Sequence, residues 1–497
     1  MIILCLLPFV AVLASFVGPI DHNVWDHLQE YLLLEYALNT LKLLVVVIAS
    51  STLIGVTLAA LVSFGDFPGR SFFMGFLLTP LAFPAYIYAF VFTGLFSYSG
   101  LLGFTGFYSF RSFWGLAFTL TLSCYPYIYL LSLQGFSSIG SRYYEISLVN
   151  GFSPFKSLVR GAIPISLPWI MTGVILVSLE TISDFGAASV FSYDTMTIGV
   201  YKAWFGFFSL PTAMRLSTIL IGLGFLLLIV KQFYQNGKLY ENTANSQPVK
   251  RTYLGWKVSL LCGLFIFIAV ALPLTQLLLW SNNVKSQFYE IIKLSIYTLA
   301  IALVASILIN LLGFLSAATM RMSPSKWNNI LTSLPLIGYG LPGTVIATII
   351  FFLFGGSYGF VGSLLLLILA YFIRFFPLAI TTISGSGKRV PLDYEELAIL
   401  ANVPRIKILR RLSAPLLRSG WVLSFILLFI EIVKEMPMTL IMRPLGYATL
   451  ATKVFELSSE GEWSLAAMPS MVIVLISSIS VVWIISTRMG NDSNVRN

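Results

Sequence analysis

The sequence is poor in charge. Only 10% of its 497 residues are Asp, Glu, Lys or Arg, whereas 58% are hydrophobic. Soluble globular domains carry about 25% charged residues, so this composition excludes a water-soluble protein. Apolar stretches repeatedly exceed the roughly 18 to 20 residues that are needed to cross the hydrocarbon core of a bilayer. The chain is therefore predicted to be a membrane protein.

Histidine and cysteine are also scarce, which limits metal and redox chemistry. The two histidines, His22 and His27, lie in a polar loop, and their spacing matches no zinc or haem pattern. Solvated polar residues are the favoured interpretation, and a metal site in that loop is the alternative. Cys5, Cys124 and Cys262 are odd in number and lie in separate apolar runs. They are predicted to be packing residues rather than a disulfide framework.

The sequence has no nucleotide-binding loop of the form Gly-x-x-x-x-Gly-Lys-Ser/Thr. The nearest stretch, Gly385 to Arg389, lacks both the upstream glycine and the hydroxyl residue that would hold magnesium. No nucleophile, base and metal constellation appears either, which makes a membrane enzyme the weakest interpretation. We therefore predict no catalytic residue, metal or cofactor in this chain.

Long hydrophobic runs are what the sequence does contain. They lack the period-two alternation of an outer-membrane barrel, so they predict transmembrane helices and an all-α membrane fold. The first run has no basic n-region and no clear cleavage site, which favours an uncleaved span over a signal peptide. About twelve spans are predicted, near residues 1–20, 38–64, 72–98, 112–135, 166–190, 215–233, 256–280, 289–316, 327–355, 360–384, 418–440 and 467–487.

One long hydrophilic stretch, 236–255, divides the chain into domains at 1–235 and 256–497 and is predicted to be a linker. Lys and Arg are concentrated on alternate loops, which the positive-inside rule assigns to the cytoplasm. That distribution explains the net charge of +10 without a nucleic-acid partner. The prediction is a multi-pass protein of the cytoplasmic (inner) membrane. Its termini, the linker and the loops after the fourth and tenth spans are predicted to be cytoplasmic.

The two halves repeat each other. Two pairs near the start of each half, Thr40 with Thr298 and Pro84 with Pro342, are 258 positions apart. Later matches share a separation of 251 positions: Glu145 with Glu396, Gly151 with Asn402, Pro164 with Pro415, Glu180 with Glu431, and Asp184 with Glu435. The pattern indicates a tandem duplication of six-helix halves that insert in the same orientation.

Two cytoplasmic loops, about 141–165 and 391–416, repeat one local pattern. Each begins as a short amphipathic helix and reaches Gly151 or Asn402, the residue types that best tolerate the left-handed conformation at a helix end. Pro154 or Pro404 then suits the first turn of a second helix. Pro164 and Pro415 are predicted to end that second helix before the next span. Each loop is therefore predicted to be a helix-turn-helix at the membrane surface.

The acidic start of each loop, the Gly or Asn six residues later and the following proline resemble the Glu-Ala-Ala loop of binding-protein-dependent ABC importer permeases. The first loop departs from that pattern with Glu145-Ile146-Ser147, and the second has Asn402 in place of glycine. The stretches after the loops, 179–206 and 434–460, resemble fused ferric-iron importer permeases. Fused thiamine permeases share much of this pattern.

The resemblance implies two six-helix, MetI-like permease bundles and a set of partners. In that family the loop is a coupling helix that inserts into an ATPase, so Glu145, Gly151, Pro164, Glu396, Asn402 and Pro415 are the expected coupling residues. A pair of identical ABC ATPase subunits would bind ATP and magnesium, and an extracytoplasmic binding protein would deliver the cargo. The alternatives are loops that only anchor the bundle, a thiamine, polyamine or oxyanion cargo, and a secondary transporter driven by an ion gradient.

Four carboxylates recur within the predicted spans. Glu180 and Asp184, and their repeats Glu431 and Glu435, are four residues apart, so each pair lies on one helix face. A charge at mid-bilayer costs roughly 2.5 to 3.5 kcal/mol on insertion scales, so these groups must face protein or water. Together with Lys434 they are candidates for lining the transport pathway. The alternative is that Lys434, Arg374 and Arg443 neutralise them in structural ion pairs.

Proline and glycine interrupt two spans at corresponding positions, 80–84 and 335–343. These breaks are either hinges for alternating access or kinks that packing absorbs.

Overall fold

A computed structural model describes most of the chain. The described residues are 11, 21–97, 100–103, 110–235, 251–282, 288–322, 338, 340–354, 359–387 and 393–494. Within them the backbone is almost entirely helical. The strands in this part of the chain are two residues each, β1 (Gly65–Asp66) and β2 (Thr252–Tyr253), and they pair in parallel. The predicted all-α membrane fold is confirmed.

The helices fall into two compact units, each drawing segments from both halves of the sequence. Unit A comprises Leu32–Met196, Phe225–Lys285 and Glu456–Asn497, and unit B comprises Met1–Tyr31, Thr197–Gly224 and Ser286–Phe455. The units are divided by packing, whereas the predicted domains are divided by sequence repetition. The predicted linker lies largely outside the described residues, so its boundaries stay a prediction.

Unit A contains most of the helices of the first half. They are α1 (His22–Phe64, whose start belongs to unit B), α2 (Arg70–Phe76), α3 (Ala85–Leu95), α4 (Phe113–Gly135), α5 (Ser141–Val149), α6 (Pro154–Ser183) and α7 (Gly186–Val190). The next two helices each have residues in both units. They are α8 (Met196–Tyr201) and α9 (Leu210–Gln235). α10 (Trp256–Asn282) and the last helix, α18 (Trp463–Asn494), complete unit A.

Unit B contains the central helices of the second half. They are α11 (Phe288–Met322), α12 (Gly343–Phe354), α13 (Phe360–Gly387), α14 (Asp393–Leu400), α15 (Arg405–Lys434), α16 (Pro437–Met442) and α17 (Leu450–Ser459). The order α4 to α7 in the first half therefore recurs as α13 to α16 in the second. The bounds of α6 and α15 are each displaced by the 251 positions that separate the sequence repeats.

The predicted spans can be compared with the described helices one by one. Eight helices in the described residues are long and apolar enough to cross a membrane, or nine when the bent pair Arg70–Ala82 and Ala85–Leu95 counts as one span. Shorter apolar helices, Gly343–Phe354 and Trp463–Ile479, match two further predicted spans. Eleven of the twelve predictions thus coincide with a helix, and the span at 1–20 lies outside the described residues except for Ala11.

The predicted interruption at 80–84 is a sharp break. The helices before and after it meet at 91°, because Pro84 cannot donate the hydrogen bond that would continue the first helix. Tyrosines of α4 satisfy carbonyls in the segment before the break. The hydroxyl of Tyr125 donates to Leu77 O at 2.6 Å, and that of Tyr129 donates to Met74 O at 3.0 Å. An interrupted span is stable in an apolar surrounding only when freed backbone groups find such partners. The corresponding stretch 335–343 lies mostly outside the described residues.

The described cysteines fit the packing prediction. Cys124 and Cys262 are buried, free thiols, and Cys5 lies outside the described residues.

Candidate functional site

The two predicted cytoplasmic loops fold alike. In the first, α5 ends in a turn at Gly151 with φ +82°, and in the second α14 ends at Asn402 with φ +53°. Phe152 N–H donates back to Ser147 O, and Val403 N–H donates to Ala398 O, both at 3.1 Å. These six-to-one hydrogen bonds close a helix end in the Schellman manner, which requires a left-handed residue at this position. The predicted turn chemistry of both loops is confirmed.

The prediction for Pro164 and Pro415 is wrong. Neither proline ends a helix, because α6 runs without a break from Pro154 to Ser183 and α15 from Arg405 to Lys434. A π-helical turn, Leu158–Ala162 or Leu409–Ser413, lies directly before each proline region. The wider π turn shifts the hydrogen-bond register, so the missing proline N–H and the ring are accommodated without a break. Each loop is therefore joined rigidly to the span that follows it.

Both loops expose a matching row of apolar side chains. The most exposed members are Val149, at 89% exposure, and its repeat Leu400, at 79%. The complete rows are Tyr143, Ile146, Val149, Phe152 and Phe155 in the first loop, and Tyr394, Leu397, Leu400, Val403 and Ile406 in the second. Every member is 251 positions from its counterpart. We call these the first and second apolar rows.

The predicted acidic residues of the loops lie beside these rows. Glu396 is exposed and Glu145 is partly buried. In unit A the first loop is held by aromatic stacking, since the buried ring of Tyr144 lies 4.2 Å from that of Phe64 on α1. A Cβ at Gly161 would lie 2.7 Å from Ser147 Oγ, so the two arms of this loop pack too closely for a larger residue.

Asp184 and Glu435 have one structural role in common. Each follows the last residue of a long helix, α6 or α15, and caps the short helix that comes next. Asp184 accepts hydrogen bonds from Ala187 N at 3.4 Å and from Ala188 N at 2.9 Å. Glu435 accepts from the N–H groups of Met438 and Thr439, both at 3.1 Å. The carboxylates therefore satisfy the free amides at the starts of α7 and α16.

Cations accompany the carboxylates of the second half. Arg374 Nη1 lies 3.6 Å from Glu435 Oε1, and Lys434 Nζ lies 3.7 Å from Glu431 Oε1. Both contacts were anticipated as the structural alternative to a pathway role. The third cation of that alternative, Arg443, donates to Thr452 Oγ1 at 3.2 Å.

The first half has serine where the second half has these two cations. Arg374 on α13 corresponds to Ser123 on α4, because the prolines three residues further on, Pro377 and Pro126, share the same separation of 251. Lys434 likewise corresponds to Ser183. Glu435 therefore has an arginine beside it, whereas its repeat Asp184 has Ser123 at the position that corresponds to that arginine.

Thr40 and Thr298, which the sequence identifies only as a repeated pair, each cap the start of another helix. Thr40 Oγ1 accepts from Met196 N, the first residue of α8, at 2.9 Å. Thr298 Oγ1 accepts from Leu450 N, the first residue of α17, at 2.8 Å. Both hydroxyls are buried and donate to the carbonyl four residues earlier in their own helices. Their role was missed because a cap from a distant helix leaves no local sequence signal.

The described residues contain no group of three or more His, Cys, Asp or Glu arranged to hold a metal ion. The arrangement is therefore one of helix caps, ion pairs and surface loops within two repeated sets of helices.

Comparison with known proteins agrees with this arrangement. Residues 51–279 and 309–489 each match the family described as binding-protein-dependent transport system inner membrane component. The double match independently supports the tandem duplication. The chain is also 26% identical over 462 residues to the Fe(3+)-transport system permease protein FbpB 2 of Haemophilus influenzae, covering 89% of this chain and 88% of that protein. The chain belongs to the family of binding-protein-dependent transport system inner membrane components, as a fused permease with two copies of the family domain.

Proposed function

We propose that this chain is the membrane-spanning subunit of an ATP-driven importer and that its two cytoplasmic loops dock paired ATPase subunits. The observation that carries the proposal is the match between the two apolar rows. Five apolar side chains recur at one separation and stay exposed in both loops. Loops that only anchored the bundle in the lipid interface would also use an apolar row, so capture of the ATPase is the measurement that distinguishes the two roles.

The exposed rows favour a protein partner on energetic grounds. Burying a Val, Leu, Ile or Phe side chain contributes about 1.5 to 3 kcal/mol, so a cleft that covers one row gains several such contributions. Cations such as Lys156 and Lys407 lie beside the rows and agree with a cytoplasmic position. The continuous helices α6 and α15 supply a rigid connection from each loop to a long span, so displacement of a docked loop would move the helix behind it.

Ferric iron, delivered by an extracytoplasmic binding protein, is the proposed cargo. The name of the Haemophilus influenzae relative supports this choice. Carboxylates also suit a hard cation, which prefers oxygen ligands. We propose that the carboxylates Glu180, Asp184, Glu431 and Glu435 attract the passing ion. Lys434 belongs to the same pathway set as the counter-charge of Glu431, and Arg374 is the counter-charge of Glu435. Both termini are proposed to be cytoplasmic.

The test is reconstitution of the permease in proteoliposomes with its ATPase and an iron-loaded binding protein. Uptake of radioactive iron that requires ATP and all three components is the expected result, and excess thiamine should not compete. Uptake that persists without the ATPase and collapses with an ionophore would instead identify a secondary transporter.

The docking surface is tested by Val149→Asp and Leu400→Asp. A charge at the centre of either row should prevent co-purification of the ATPase. Leu445→Asp, at a fully exposed apolar residue in the turn between α16 and α17, is the matched control that should retain it. Normal ATPase capture by both Asp variants would contradict the docking role.

A further inference from the structure

A buried ion pair holds the second loop to the transmembrane helices. Arg321, at the end of α11, donates from Nε to Glu395 Oε1 at 2.6 Å and from Nη2 to Glu395 Oε2 at 2.9 Å. The Glu395 side chain is 0% exposed and that of Arg321 is 10% exposed. Such a two-pronged arrangement fixes orientation as well as distance, because the planar guanidinium matches both carboxylate oxygens.

The same guanidinium also contacts a third helix. Arg321 Nη1 donates to Gly387 O, at the end of α13, at 2.6 Å. One side chain thus connects the ends of two long helices, α11 and α13, to the loop helix α14. Gly387 permits this approach, since a Cβ there would lie 2.8 Å from Leu417 Cδ2 and 3.1 Å from Arg321 Nη1.

Apolar packing extends the connection to the second arm of the loop. Phe314, Ala317 and Ala318 of α11 form a buried cluster with Ile383 of α13 and Leu417 of α15. Leu409, in the π turn of α15, packs on this cluster. The end of α11 is therefore in contact with both arms of the second loop.

The first loop uses different chemistry at the same position. Tyr144, 251 positions before Glu395, stacks on Phe64 with ring centroids 4.2 Å apart. The buried two-pronged ion pair of the second loop resists both rotation and translation of α14.

We infer that Arg321 and Glu395 are positioning residues that lock the second loop to the transmembrane helices, so that movement of the ATPase is transmitted rigidly through this loop. The inference rests on the proposed docking function. It assigns the anchoring of the second loop to the buried Glu395 rather than to the exposed Glu396.

The anchoring step is tested on the purified permease alone, by hydrogen exchange of the α14 amides. Arg321→Met should accelerate that exchange by roughly 100-fold or more, because removing one partner leaves a buried charge uncompensated. Glu290→Gln is the matched control: it breaks the exposed pair with Lys453 at the opposite end of α11 and should leave α14 unchanged. Exchange in Arg321→Met that equals the wild-type rate would overturn the inference, whether or not an ATPase docks.

The transmission step is tested with the reconstituted transporter. The measured quantity is the ratio of ions imported to ATP molecules hydrolysed. Arg321→Met and Glu395→Gln should reduce this ratio by roughly fivefold or more while ATP hydrolysis continues. The double variant Arg321→Met/Glu395→Met should regain wild-type thermal stability, since apolar pairs replace buried ion pairs well, yet keep the low ratio. A ratio that recovers together with stability would reduce the pair to a stabilising role and overturn the inference. If the ATPase fails to bind even the wild-type permease, the proposed function fails while the exchange result still stands.

Discussion

Asp184 and Glu435 have different neighbours, so we expect neutralisation of the two carboxylates to lower the free energy of unfolding by different amounts. Glu435→Gln removes the charge that faces Arg374, whose side chain is only 14% exposed. Breaking a buried pair by neutralising one partner costs about 3 to 5 kcal/mol. Asp184→Asn changes the corresponding cap in the first half, where the sequence repeat has Ser123 at the position of Arg374. Because Asn caps helices about as well as Asp, we expect a cost below about 1 kcal/mol.

A double-variant cycle separates the ion pair from the cap. Arg374→Ser installs the first-half residue, and Glu435 keeps its hydrogen bonds from Met438 N, Thr439 N and Thr439 Oγ1. Arg374→Ser/Glu435→Gln should therefore be more stable than Glu435→Gln alone, by about 2 kcal/mol. The stability of all variants is measured as the free energy of unfolding in mixed micelles of detergent and dodecyl sulfate.

Two results would refute this reasoning. Equal costs for Asp184→Asn and Glu435→Gln would show that the cation next to Glu435 is energetically irrelevant. A double variant no more stable than Glu435→Gln would show that the loss comes from the cap and not from a stranded arginine.

Three further predictions address backbone geometry. Gly343→Ala should destabilise the protein by about 1 to 3 kcal/mol, because the new Cβ would lie 2.6 Å from Arg374 Nη1. The same unfolding assay should show a smaller loss when Arg374→Ser is also present. Gly151→Val should cost about 1 to 2 kcal/mol at its positive φ and lower iron uptake, whereas Gly151→Asn, which copies the second loop, should preserve both. Thr40→Val and Thr298→Val should each cost about 1 to 3 kcal/mol by leaving a buried N–H unpaired, and equal stability to wild type would contradict the cap.

The turn chemistry of the loops was predictable because it is local. Gly151 and Asn402 were identified from residue type and spacing alone, since few residues tolerate a left-handed helix end. The same local reasoning failed at Pro164 and Pro415. A proline in a helix is normally a break, and the π turn that absorbs it has no sequence signature as clear as the proline itself.

The interhelical contacts could not be predicted for a different reason. Arg321 and Glu395 are separated by 74 residues, and Glu395 stands beside a second glutamate that better fits the family pattern. The only sequence signal for this pair was Arg321, a cation that follows a predicted span. The positive-inside rule already accounts for a cation at that position. Which of two adjacent acids is buried depends on helix rotation, which periodicity does not fix to within one residue.

The contacts that both halves retain differ in kind from those that have diverged. Asp184 and Glu435, like Thr40 and Thr298, satisfy amides at helix starts in their own unit. A buried amide must be paired whatever surrounds it, so a duplicated backbone imposes this requirement on both copies. Side-chain pairs carry no such requirement. Ser123 stands in the place of Arg374 although the carboxylate is kept as Asp184, and Tyr144 stands in the place of Glu395. We therefore expect differences between the two halves of this permease at the divergent side chains and not at the shared caps.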